Sequence, residues 1–282
     1  VALGGLAALA SLSCGPAAAD PANNAPCKLE TFAQGAVASI IDGRTFRLGD
    51  GRVVRMAALE LPPDAIDPDT GKNPFSESAG ALTRILAGRR VILKRMPQTT
   101  DRYGRLQAHV FLDAARIVTA GIGATVSAGD DTAVWLDEKL LADGTAMRSS
   151  EAIDAGCHAR LIAAEAHARA AGRGLWDTPN GFVRTAADGQ AFAARFGRFA
   201  IAEGEIVSAN TVGSITYLNF GRIWRQSLTA VIAKRDARRF QASGIDPSRL
   251  AHQTVRVRGW VEKRLGPTIV LNGPEQMEII RR

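Results

Sequence analysis

At 282 residues, 46% hydrophobic and 22% charged, the chain has the composition of a globular protein with room for two cores. That excludes a fibrous, low-complexity or charge-expanded disordered polymer. The formal charge of +7 is uneven: residues 180–282 hold 16 Lys and Arg against 8 Asp and Glu, and residues 1–179 hold 19 against 20. A basic C-terminal third of this kind attracts polyanions or anionic surfaces, or simply solvates its charge.

Residues 1–19 pair an apolar, Ala-rich run with Ala17-Ala18-Ala19 before Asp20, the pattern of a secretory signal peptide. A periplasmic or secreted protein is therefore expected. The alternative, a lipid anchor on Cys14, has Leu12 one position too late for a lipobox. The run is too short to span a bilayer, and no later segment is a candidate transmembrane helix. Past the leader, Cys27 and Cys157 are an even pair in an oxidising compartment, and a disulfide between them is expected. Two unpaired buried thiols are the alternative.

Residues 20–34 read as an extended lead-in. Asp42-Gly43 and Asp50-Gly51, each flanked by apolar runs, turn Val37–Ile41, Thr45–Leu48 and Arg52–Leu59 into a three-stranded meander. An acidic turn-rich insertion (64–74) leads to a helix capped by Ser76 and stopped by Gly88. Strands follow at Arg90–Met96 and Arg102–Leu112, the latter with His109 on the face opposite Leu106, Ala108, Val110 and Leu112. Residues 114–131 form a Gly- and Ala-rich insertion. A short helix starts near Trp135 and ends at Asp143-Gly144. A longer one over Glu151–Ala171 ends at Gly172, after which Leu175-Trp176 packs back. Three strands, a helix and two strands is the order of an OB-type barrel.

The boundary falls at Asp177–Asn180, followed by a linking helix over Phe182–Phe199. The order then repeats: strands at Gly204–Ala209, Ser214–Phe220 and Ser227–Ala233, a helix at Lys234–Gln241, strands at Thr254–Lys263 and Pro267–Leu271, and an edge at 278–280. The expected fold is α+β, mainly β, with two OB-type five-stranded barrels, the first carrying additional helices. The expected organisation is signal peptide 1–19, lead-in 20–34, first domain 35–178, linker 179–202 and basic OB-like domain 203–282.

Three segments carry a family resemblance. Ile41-Asp42-Gly43-Arg44-Thr45, the run from Arg55 to Glu60-Leu61-Pro62-Pro63, and Asp101-Arg102-Tyr103-Gly104-Arg105 resemble the I-D-G-D-T, R-x-x-x-x-D-T-P-E and D-x-Y-G-R frames of the staphylococcal nuclease-like (thermonuclease) family. The resemblance covers roughly residues 35–178. It implies a phosphodiesterase site in which two acidic residues and a backbone carbonyl hold calcium, a glutamate positions water, and two arginines stabilise the phosphate. Carried over, Arg55, Arg105 and Glu60 are the catalytic candidates, and Asp42 and Glu60 the metal candidates. Arg44, however, stands where a second direct acidic ligand belongs, Leu61 replaces Thr, and Pro63 replaces the water-positioning glutamate. A divalent ion about 4 Å from a guanidinium is opposed by roughly 8 kcal/mol at an effective dielectric of 20. No cofactor is therefore expected, with Ca²⁺ relevant only if the site is retained. Asp64, Asp67, Asp69 and Asn73 lack the spacing of a calcium loop.

Arg44, Arg55 and Arg105 are then either a metal-free anion pocket or part of an internal ion-pair network in which Arg44 neutralises Asp42 or Glu60. The four histidines, at no metal-ligand spacing, read as surface residues. In the basic third, Tyr217, Phe220, Trp224 and Trp260 are interleaved with Arg222, Arg225, Arg256 and Arg258. This suits single-stranded nucleic acid, although aromatics at strand spacing also build cores. Thr216–Gly221 and Val255–Trp260 are similar to basic OB-like modules behind some nuclease-like domains. The expected function is binding of nucleic acid or another phosphate-bearing polyanion with little or no cleavage. The alternatives are an active metal-dependent phosphodiesterase and an envelope scaffold for a protein partner.

Overall fold

The computed structural model describes residues 27–65, 71–113, 133–151, 153–177, 182–223 and 225–280. The expected leader, Cys14, Asp67, Asp69, the 114–131 insertion, Trp224 and most of the expected boundary lie outside the described residues.

The first half runs β1 (Thr31–Asp42), β2 (Thr45–Leu48), β3 (Val53–Arg55), β4 (Leu59–Glu60), α1 (Pro74–Leu86), β5 (Arg90–Thr100), β6 (Leu106–Leu112), α2 (Leu136–Ala142), β7 (Met147–Arg148) and α3 (Ala155–Ala170). Strands β1-β2-β3-β6-β5 close into a barrel, antiparallel throughout except for the β3–β6 pair. Alternate residues Phe46, Leu48, Val54, Val91, Leu93, Ala108 and Val110 fill its core. The expected third strand breaks after Arg55: Leu59 N–H donates to the Met56 carbonyl, and β4 leaves the barrel to pair with β7.

Several local expectations are corrected. Asn73, not Ser76, caps α1: its side-chain oxygen accepts from the N–H groups of Phe75 and Ser76 at 3.1 and 3.3 Å, and Pro74 takes the first helical position. His109 is buried, because α2 lies across the outside of β6. Its Nδ1 sits 3.3 Å from Asp137 Oδ1, and Asp137 Oδ2 accepts from Val110 N–H at 2.9 Å. Gly43 is required by packing: a Cβ there would lie 2.6 Å from Ser78 Cβ on α1. The Cys27–Cys157 disulfide joins the segment before β1 to α3.

The second half contains β8 (Val183–Thr185), α4 (Gly189–Ala193), β9 (Phe199–Glu205), β10 (Ser208–Val212), β11 (Ile215–Asn219), β12 (Thr229–Ala233), α5 (Lys234–Ala242), β13 (Thr254–Lys263), β14 (Pro267–Val270) and β15 (Met277–Ile279). These strands form one eight-stranded sheet in the order β10-β11-β12-β14-β13-β9-β8, with β15 on β13. The sheet holds more strands than the five expected, and the two members β9 and β10 of that order follow one another in the chain across Ile206 and Val207. Strand β13 organises it, pairing with β9 through Trp260 and with β14 from Val261 onward. In place of the expected linking helix stand β8 and the short α4. Val183 and Ile201, partners across β8–β9, pack with Met147 and Leu175 of the first half, and those contacts favour strand there.

A charged seam joins the halves. Arg258, 1% exposed, donates through Nη2 to Glu165 Oε2 at 2.7 Å and Glu278 Oε1 at 2.8 Å. Arg148, also buried, bonds Glu165, Glu278 and His158. Arg256 bridges Glu203 and Glu278, and Arg169 reaches Glu165.

Candidate functional site

The β1–β2 turn is held by Arg44 N–H donating to Asp42 Oδ1 at 2.8 Å. The Arg44 side chain turns toward β4. One Nη donates to the Leu59 carbonyl, and the other lies 2.6 Å from Glu60 Oε1. The same Glu60 oxygen accepts from Leu61 N–H at 3.1 Å. The guanidinium thus occupies both the carboxylate and the neighbouring carbonyl. Arg55, opposite Thr45 in the sheet, has Nη1 3.8 Å from Glu151 Oε1. Burial lowers its pKa, and the Arg44 charge beside it adds to that lowering. Arg105 closes a tight turn through Nε to Asp101 Oδ2 at 2.7 Å, with Gly104 at φ +77. Asp101 also accepts from the N–H groups of Tyr103 and Arg105. The three arginines of the sequence motifs therefore each face a carboxylate: Glu60, Glu151 and Asp101.

Above this turn lies a cleft of about 370 Å³. Asp42, Arg44, Glu60, Pro63, Asp64 and Phe75 line one side, and Arg198, Phe199 and Trp260 of the second half line the other. Glu151 and Phe75 carry no motif, and Arg198 and Phe199 lie more than a hundred residues from the turn they face. Nothing local in the sequence marks them. Trp260 carried one legible signal, an aromatic in a basic segment.

The other predicted residues are placed elsewhere. Tyr217 is half-buried on β11, and Arg222 and Arg225 are exposed on the turn after it; none of them lines the cleft. Arg256 and Arg258 do not match the expectation of a polyanion surface, because their guanidinium groups are committed to seam carboxylates. Among the described residues, no three His, Cys, Asp or Glu side chains gather as a metal-binding set, and no helix is long and apolar enough to cross a membrane.

A closed five-stranded barrel flanked by helices, with a basic turn–strand–turn cluster at one end, defines the class of the first half. Residues 53–178 match the family described as staphylococcal nuclease homologue, and this part of the chain is a domain of that family. Arg55, Glu60 and Arg105 lie inside the matched span, and the Asp42-Gly43-Arg44 turn lies just before it. No curated protein matches the chain.

Proposed function

We propose that this protein binds nucleic acid or another phosphate-bearing polyanion and does not cleave it through a bound calcium ion. The observation that carries this reading is the Arg44–Glu60 ion pair, at 2.6 Å. Calcium takes about six to eight oxygen ligands. Here Asp42 Oδ1 and the Leu59 carbonyl already accept hydrogen bonds from Arg44, and Glu60 Oε1 is ion-paired to it. The position of the water-positioning glutamate holds Pro63, which has no ionisable group. These residues do not fit a divalent cation. Polyanion binding is supported by the family match of residues 53–178 and by the basic excess of residues 180–282. In the same reading the second half is an OB-like module and the chain is exported. The Cys27–Cys157 disulfide supports export, because such bonds persist in oxidising compartments.

The test is incubation of the purified protein with single- and double-stranded DNA in calcium or in chelator, read by gel and by fluorescence anisotropy. Intact DNA and binding that weakens steeply with salt are expected. Chelator-sensitive cleavage that Arg105→Ala abolishes would establish the rival phosphodiesterase reading instead.

A further inference from the structure

A second group of arginines stands where β8, the turn after α4 and β9 meet. Arg184 lies on β8, opposite Ala202 of β9. Arg195 and Arg198 bracket the turn into β9, with Arg198 N–H donating to the Arg195 carbonyl at 2.9 Å. Unlike Arg44, Arg55 and Arg105, none of these three has an ion-pair partner among the described residues. Arg184 Nε is buried and has no hydrogen-bond partner. Arg195 is half-buried, and its pKa is lowered by burial and by the charges of Arg184 and Arg198 beside it. Arg184 also lines a pocket with Glu203 and Glu205, neither of them ion-paired to it, so the uncompensated charge is concentrated at Arg195 and Arg198, where like charges repel and an anion placed among them relieves that repulsion.

Arg198 belongs to both features: it is in this cluster and on the wall of the cleft beside Phe199 and Trp260. Trp260 is 50% exposed, and its ring is braced edge-to-face on Phe199 with centroids 6.3 Å apart. Across the cleft stand Asp42 and Asp64, which disfavour a phosphate inside it but not an uncharged base. A basic strip beside a braced, open aromatic face suits single-stranded nucleic acid, whose backbone needs cations and whose bases need a π surface. A sulfated polysaccharide has no such surface to offer Trp260.

We infer that Arg184, Arg195 and Arg198 hold the phosphodiester backbone of single-stranded nucleic acid, with the adjacent base stacked on Trp260 in the inter-domain cleft. This rests on the reading that the protein binds nucleic acid.

The experiment is anisotropy of a fluorescent 20-nucleotide oligo-dT titrated with the full chain across a salt series, with thermal melts confirming that each variant folds. Arg198→Ala, on an exposed side chain, is expected to weaken binding several-fold. Arg195→Gln with Arg198→Ala is expected to weaken it at least tenfold and to flatten the log–log salt slope by about 0.7 per arginine lost. Trp260→Ala is expected to weaken it roughly tenfold with the slope unchanged. Arg235→Ala, on α5, serves as the control and is expected to leave both unchanged. Wild-type binding that the arginine variants leave untouched overturns this site alone. Heparin binding that falls with the arginine variants, alongside oligo-dT binding indifferent to Trp260→Ala, assigns the arginines to a sulfated polymer and overturns the nucleic-acid site. A wild-type chain that binds no oligonucleotide at all overturns the proposed function itself, and this site with it.

Discussion

Arg44 reaches from the β1–β2 turn to Glu60 and to the Leu59 carbonyl, adjacent positions on β4. The odd residue was visible in the sequence, where an arginine follows Asp42-Gly43. Its partner was not, because two readings of the three motif arginines stood open. Glu60 is the nearest carboxylate that the long guanidinium arm reaches once β4 leaves the barrel. The double variant Arg44→Asp/Pro63→Glu restores carboxylates at both changed positions. Its calcium affinity by titration calorimetry is expected to rise at least tenfold over wild type. Calcium is also expected to raise the variant's melting temperature, since a ligand that binds only the folded state stabilises it. Unchanged affinity would mean that the metal seat of the family lies elsewhere in this chain.

At the scale of elements, alternation made β2, β13 and most of β6 legible, and strand β13 has the bounds that its pattern indicates. His109 departs from the alternation because β6 is buried on both faces, so alternation no longer separates core from surface once α2 covers it. The strand β8 was hidden for a similar reason. Residues 183–185 form a strand through their pairing with β9 and the packing of Val183 against Met147 and Leu175. The disulfide fixes the start of β1 to α3 across a sequence separation of 130 residues. Closing a loop of that length removes unfolded-chain entropy worth about 4–5 kcal/mol. The paired variant Cys27→Ser/Cys157→Ser is expected to lower the urea-unfolding stability by up to that amount. Equal midpoints for variant and wild type would deny the crosslink any role in stability.

For the whole molecule, the seam is the decisive feature. It buries Arg148, Arg258 and Glu165 between the halves, and removing one partner from such a network costs about 3–5 kcal/mol by stranding the others. Its ionisation makes stability pH-dependent. Burial, reinforced by the Arg148 and Arg258 charges, pushes the His158 pKa down to about 3, so the folded protein keeps this imidazole neutral while the unfolded chain protonates it near pH 6.5. Burial alone would raise Glu278, but Arg258 and Arg148 outweigh it and bring the carboxyl to about 2; the same arginines hold Glu165 far below the usual carboxylate range. In each case the unfolded state binds protons that the folded state does not, so stability rises with pH through the window. The melting temperature is expected to be level above about pH 7, to fall from pH 6.5 as His158 contributes, and to fall faster below about pH 4.5 as Glu165 and Glu278 join. His158→Gln should flatten the stretch from pH 6.5 to 4.5; a wild-type profile already flat there would contradict the placement of His158 in the seam.

By itself the sequence determined the nuclease-like frames, the first barrel's strand order, the uneven charge and the cysteine pair, because each of these is written in local patterns or simple counts. Only the tertiary structure decided which charges stay free. Arg256 and Arg258 read as a basic surface and prove to be the mortar of the seam, because Glu165 and Glu278 come to them from distant segments. Arg184, Arg195 and Arg198 carried no signal and emerge as arginines with no ion-pair partner among the described residues. An ion pair is a matter of distance in space, and residues a hundred positions apart meet only once the chain has folded.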